Sequence, residues 1–93
     1  MRLDKYLKVS RLIKRRTVAK EMVDAGRVKV NGKVAKPGHD VKVGDELEIG
    51  FGQRQVRASI VEIKEAVRAD QASSLYQLLE GAPVVTDTLE TLT

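Results

Sequence analysis

The chain has 93 residues and a formal net charge of +4, a length that suits one domain with a small core. It has no cysteine, which excludes disulfides and thiolate metal sites. No apolar run reaches the ~18 residues that a membrane span needs, and the opening MRLDKYLK lacks the hydrophobic region of a secretory signal, so a soluble, cytoplasmic protein is expected.

The charge is unevenly placed. The first twenty residues hold eight cations (Arg2, Lys5, Lys8, Arg11, Lys14, Arg15, Arg16 and Lys20) against one acid, Asp4. A basic end on an otherwise mildly acidic chain points to a polyanion site on one face. Ordinary solvated helices mix signs, with Glu four residues before Lys, and here the acids are nearly missing.

Along Arg2–Val9, Leu3 and Leu7 stand four apart, which predicts a short helix with one buried face. Ser10–Lys14, with Leu12 and Ile13, reads as a tight connector. From Arg15 to Ala25, Val18, Ala19, Met22 and Val23 recur at helical spacing, and Gly26 follows as a natural residue just past a helix end. Arg27–Ala35 then alternates, Val28 and Val30 on one side and Lys29 on the other. Asn31-Gly32 is a strong hairpin signal and predicts a type I′ turn with positive φ at both central residues. Lys33–Ala35 is the return strand. Pro37-Gly38 breaks it, and Gly44-Asp45 leads into a strand over Glu46–Gly50 with Leu47 and Ile49 inward. Phe51, between Gly50 and Gly52, is expected to plug the core. A further strand is predicted over Gln55–Lys64, with Val56, Ala58 and Ile60 on one side. Ala72, Leu75, Tyr76 and Leu79 recur at helical spacing and predict a C-terminal helix over Ala69–Leu79. The Thr-rich end has no period with a core face and is expected to be loose. The order describes a small α+β domain.

No catalytic constellation stands out. The one histidine, His39, neighbours Asp40 in a turn, where it reads as polar loop filling. Without a second His or any Cys there is no triad or metal cluster to build, so neither enzyme activity nor a cofactor is expected. The glycines form no phosphate-cradling loop, and the scarcity of aromatics, Tyr6, Phe51 and Tyr76 alone, argues against base stacking.

The basic segment is the exception. Arg2, Lys5, Lys8, Arg11 and Lys14 repeat every three residues, which on a continuous helix makes a slowly rotating stripe. Arg16 and Lys20 stack at i, i+4 on the second helix. Guanidiniums there can grip phosphates bidentately, and the start of a helix favours an anion. The same dipole disfavours Arg15 and Arg16 in the free protein. Lys29 and Lys33 either extend this face or belong to a plain structural hairpin. A DNA-reading helix-turn-helix remains an alternative, but Glu21 and Asp24 would face the DNA and a hairpin follows where a third helix is usual. A membrane-surface helix needs bulky apolar anchors that the core already claims.

The stretch RLDKYLKVSRLIKRRTVAKEMVDAGRVKVNGKVAKPGHDVKVGDELEI resembles an S4 RNA-binding domain. Arg2-Leu3-Asp4 matches the opening of the family's first helix, and Arg16 and Ala19 match the Arg and Ala that open its second. Gly26–Gly32 matches its Gly-x-Val-x-Val-Asn-Gly hairpin, and Gly44-Asp45 its closing pair. Arg15 departs from the pattern, standing where the family has a capping Ser or Thr. The opening is most similar to the RqcP (YabO) family of bacterial ribosome-associated quality control, with the heat-shock S4 proteins as near relatives, and the likeness runs to about residue 65. The resemblance implies an S4-like (αL) α+β fold, with two N-terminal helices on a small, mostly antiparallel sheet. It implies an S4 domain with a strand extension at 1–65, to which the spacing and composition above add a C-terminal helix within 66–80 and a flexible tail at 81–93. The implied partners are large-subunit rRNA, peptidyl-tRNA and an RqcH-type tailing factor, with no membrane and no small-molecule substrate. The implied role is holding the tRNA of an obstructed subunit during alanine tailing, without chemistry. The RNA-binding residues are expected to be Arg2, Lys5, Lys8, Arg11, Lys14, Arg15, Arg16, Lys20, Lys29 and Lys33, and a monomer is expected.

Overall fold

The structure, a computed structural model, describes residues 1–51 and 53–81, with Phe51 described in its backbone alone. The core-plug role expected of Phe51 and the loose segment expected over 82–93 lie outside the described residues. Helix α1 spans Leu3–Val9 and α2 spans Arg16–Asp24. Strands β1 (Val28–Val30), β2 (Lys33–Val34), β3 (Glu46–Phe51) and β4 (Arg54–Ile60) follow, then a 3-10 helix (Ala69–Leu75) and β5 (Tyr76–Glu80). The five strands form one antiparallel sheet in the order β2-β1-β3-β4-β5. The chain is therefore the α+β fold expected.

Alternation along the strands sorts their side chains by face. Val28, Val30, Leu47, Ile49, Val56, Ala58 and Ile60 are buried and join Leu3, Tyr6, Leu7, Ala19, Met22 and Val23 of the helices in one core. Leu3 and Leu7 are fully buried, and such burial stabilises by about 1.5–3 kcal/mol per leucine. Between the helices, Ser10–Lys14 is the tight connector expected. It tucks Leu12 and Ile13 into the core, and the Ser10 hydroxyl donates to the Leu7 carbonyl at 3.2 Å. Arg11 turns the chain with φ of 60°, a left-handed conformation that costs a non-glycine residue about 1–2 kcal/mol.

Helix α2 ends as a Schellman motif: the Gly26 amide donates to Val23 and the Arg27 amide to Met22, both at 3.0 Å, with Gly26 at φ 77°. That positive φ is why glycine stands there. The hairpin turn also matches expectation, with Asn31 at φ 52° and Gly32 at 83°. Asn31 does more than turn. Its side-chain oxygen accepts from the Glu46 amide at 2.9 Å and its amide nitrogen donates to Asp45 at 3.1 Å. The Asn-Gly turn is thus fastened to the Gly44-Asp45 turn.

Two expectations are corrected. The strand predicted over Gln55–Lys64 stops at Ile60, because the next two amides, of Val61 and Glu62, both donate to the Leu75 carbonyl. Two consecutive amides on one acceptor cannot continue a ladder. The helix predicted over Ala69–Leu79, within 66–80, exists only as the 3-10 turn to Leu75; Tyr76–Glu80 is strand β5. Ala72 and Leu75, three apart and buried, suit a 3-10 helix as well as an α-helix. Beyond them, β4 offers an unpaired ladder edge, and pairing with it outweighs the helical spacing of Tyr76 and Leu79.

Candidate nucleic-acid interface

Asp4 lies in the first turn of α1 and Arg16 in the first turn of α2. Packing of the two helices brings them together. Arg2 Nε donates to Asp4 Oδ1 at 3.2 Å and its Nη2 to Oδ2 at 3.4 Å, while Arg16 Nη2 pairs with Oδ1 at 3.5 Å. The Lys5 amide adds a fourth donor at 2.8 Å. The Asp4 side chain is 3% exposed, whereas those of Arg2 and Arg16 are 55% and 48% exposed. One buried carboxylate thus holds two half-exposed guanidiniums. Burial pushes the Asp4 carboxyl up, but the Arg2 hydrogen bond, the Arg16 charge and the Lys5 amide outweigh it and hold it below the usual carboxylate range.

Arg2, Asp4, Arg16, Thr17 and Lys20 line a surface cleft of about 330 Å³. Helix α2 begins beside it with no acid in its first turn and no side-chain cap from Arg15, so the positive end of the helix adds to the guanidiniums. A second cleft, of about 530 Å³, lies against the hairpin and is lined by Val30, Asn31, Lys33, Val34, Ala35 and His39. The loop before Val41 joins the two. Arg2 bridges Asp40 through its backbone and lies against Gly38, while His39 faces the hairpin cleft.

The stripe expected of Arg2, Lys5, Lys8, Arg11 and Lys14 does not form. Helix α1 ends at Val9, which puts Arg11 and Lys14 off the helix axis, in the connector. Arg2, Arg16 and Lys20 share the first cleft and Lys33 lines the second. Lys8, Arg11, Lys14 and Arg15 are exposed on the same helical half of the chain. Lys5 is half-buried and paired with Glu65. Lys29 stands opposite Glu48 in the sheet. Asp4, Thr17 and His39 were not anticipated as site residues. Its place in the Arg2-Leu3-Asp4 opening, and its being the one acid among eight cations, were the available signals for Asp4; nothing in the sequence singles out Thr17. Among the described residues no helix is long and apolar enough to cross a membrane.

Residues 1–47 match the family model described as S4 domain. The chain is 58% identical over 84 residues to a protein of Halalkalibacterium halodurans named RQC P-site tRNA stabilizing factor, a match covering 90% of this chain and 96% of that one. A protein of the same name from Listeria innocua is 59% identical over 80 residues, covering 86% of this chain and 87% of that one. Among solved structures, the fold is similar to heat shock protein 15 of Vibrio cholerae, whose structure is described as trimeric, with a TM-score of 0.79 and 30% identity over 99% of this chain and 94% of that one.

Proposed function

The chain belongs to the S4 domain family, and from that premise we propose that it is an RNA-binding factor of ribosome-associated quality control. It binds large ribosomal subunits still carrying peptidyl-tRNA, touches both rRNA and the P-site tRNA, and supports alanine tailing by an RqcH-type factor. It does no chemistry itself. The observation that carries this reading is the cleft in which Asp4 holds Arg2 and Arg16 half-exposed beside the basic start of α2. Two outward guanidiniums suit phosphates, and a folded RNA is read largely through shape and backbone because its deep groove admits few side chains. The names of the relatives support a ribosomal address. Around the cleft, Lys8, Arg11, Lys14, Arg15, Lys20 and Lys33 add phosphate contacts, with Lys5 and Lys29 contributing least.

The test is Arg2→Ala and Arg16→Ala, each measured against a folded large-subunit rRNA fragment and by co-sedimentation with large subunits. Each variant loses a charge-assisted contact, so affinity falls roughly ten- to a hundredfold. Each leaves the other guanidinium on Asp4, so stability falls by about 1 kcal/mol or less. Wild-type affinity must also fall steeply with salt; a flat response removes the phosphate reading. The similarity to heat shock protein 15 favours a second reading, a more general role in recycling subunits. Loss of the gene abolishes alanine tails on stalled chains under the first reading and leaves them intact under the second.

A further inference from the structure

We infer that Asp4 is a positioning residue of the RNA site: its buried carboxylate ties the guanidiniums of Arg2 and Arg16 together as one clamp for a backbone phosphate. This rests on the phosphate-binding reading of the cleft and assigns a role to the acid inside it. An acid in a site for an anion should by charge alone weaken binding, since a carboxylate repels a phosphate. Its geometry argues the opposite. Oδ1 receives both Arg2 Nε, at 3.2 Å, and Arg16 Nη2, at 3.5 Å. The two nitrogens therefore stand within two hydrogen-bond lengths of each other, although their residues belong to different helices. Guanidinium carries five N–H donors and no acceptor. Asp4 takes two from Arg2 and one from Arg16, which leaves donors on both groups for the solvent side of the cleft.

Without the carboxylate, two like charges at this separation would swing apart into water, and binding would have to order two long side chains at once. With it, the ordering is done when the protein folds. The remaining cations around the cleft do not take this role, because Lys20 shares the cleft without contacting Asp4 among the bonds described. Asp4 itself is placed by the fold. It sits one residue after the buried Leu3, and the Lys5 amide at 2.8 Å fixes the orientation of the carboxylate.

The experiment is Asp4→Asn, titrated with the same rRNA fragment. Asparagine is nearly isosteric and keeps Oδ1 for the Lys5 amide, but it loses the charge that holds both guanidiniums on that oxygen, and its NH₂ turns donors toward Arg2 Nη2. If Asp4 positions the clamp, affinity falls about tenfold, even though the protein has lost a negative charge. Affinity that rises or stays unchanged overturns the inference. A merely structural role is separated by adding Asp4→Asn to the Arg2→Ala/Arg16→Ala double variant, where no clamp remains to be positioned. The substitution then leaves RNA affinity unchanged and raises the melting temperature, because it removes a buried charge with no guanidinium partner. A second fall in affinity in that background overturns the positioning role. If Arg2→Ala and Arg16→Ala bind RNA like wild type, the proposed function fails at this cleft; if they lose binding and Asp4→Asn does not, only the present inference fails.

Discussion

At Asp4, burial and charge act in opposite directions, and their balance has a consequence in acid. Its carboxyl lies below the usual carboxylate range in the folded protein, despite the upward push of burial. A group depressed on folding contributes stability that is present above its unfolded value, near 4, and lost as the pH falls through its folded value. The urea midpoint of the wild type should therefore hold from pH 7 to about 5 and drop below about 4. Asp40 and Glu65 are also held low, by the α-ammonium of Met1 and by Lys5 respectively, but both are exposed and their pairs are screened by water. The acid-dependent drop should accordingly be shallower in Asp4→Asn than in wild type. Equal drops would place the stabilising charge elsewhere. The sequence shows why this residue is hard to read: Asp4 looks like the token acid in a basic stretch. Its burial depends on a helix that comes to lie beside it twelve residues later, and no local pattern records that.

The elements divide between those fixed locally and those fixed by partners. The second helix, its glycine stop and the Asn-Gly hairpin were legible, because capping and turn chemistry act within a few residues. The link between Asn31 and Asp45 was not, since it joins two turns that the sequence presents separately. The 3-10 helix and β5 were misread for a related reason: an exposed ladder on β4 decides their form, and helical spacing carries no trace of it. Tyr6 connects these two classes. From the middle of α1 its hydroxyl donates to the Leu75 carbonyl at 2.8 Å, at the junction of the 3-10 helix and β5. Burial, with a smaller contribution from Tyr76, pushes the Tyr6 hydroxyl well above its ordinary value. Tyr6→Phe should cost about 0.5–1.5 kcal/mol by chemical denaturation. The lower end is expected, because the Leu75 carbonyl still accepts from the Val61 and Glu62 amides at 2.9 and 3.0 Å. A loss above about 3 kcal/mol would mean that the carbonyl is left unsatisfied. The pH dependence has the opposite sense to that of Asp4. A phenol raised on folding contributes stability below its unfolded value near 10 and loses it above, so wild type should weaken above about pH 10 more steeply than Tyr6→Phe.

Across the whole molecule, the sheet separates two electrostatic environments. Its inner face carries the helices and the basic clefts. Its open face carries a row in which Lys29 faces Glu48, Glu48 faces Arg57 and Arg57 faces Glu80, with Glu46 bound to Arg57 at 2.9 Å. That row balances cations against acids and offers a phosphate backbone little attraction. The sequence could not say which side a hairpin lysine takes, since Lys29 and Lys33 flank the turn alike. Register decides it. Lys33 pairs with the inward Val30, and Lys29 pairs with Val34, which is 61% exposed. Lys33 therefore lies on the helical side, lining the cleft with His39, while Lys29 lies in the mixed row. Lys33→Ala should weaken binding to the rRNA fragment a few-fold and lower the slope of log affinity against log salt by about one, the signature of one lost phosphate contact. Lys29→Ala should change neither quantity, because Glu48 opposes its charge across the strands and Lys29 lines neither cleft. Both variants should melt near wild type, within about ±0.5 kcal/mol of its stability, as exposed substitutions usually do. Equal losses from the two lysines would mean that the RNA wraps the hairpin and meets both faces of the sheet. A loss from Lys29 alone would move the interface to the open face and away from the Arg2–Arg16 cleft.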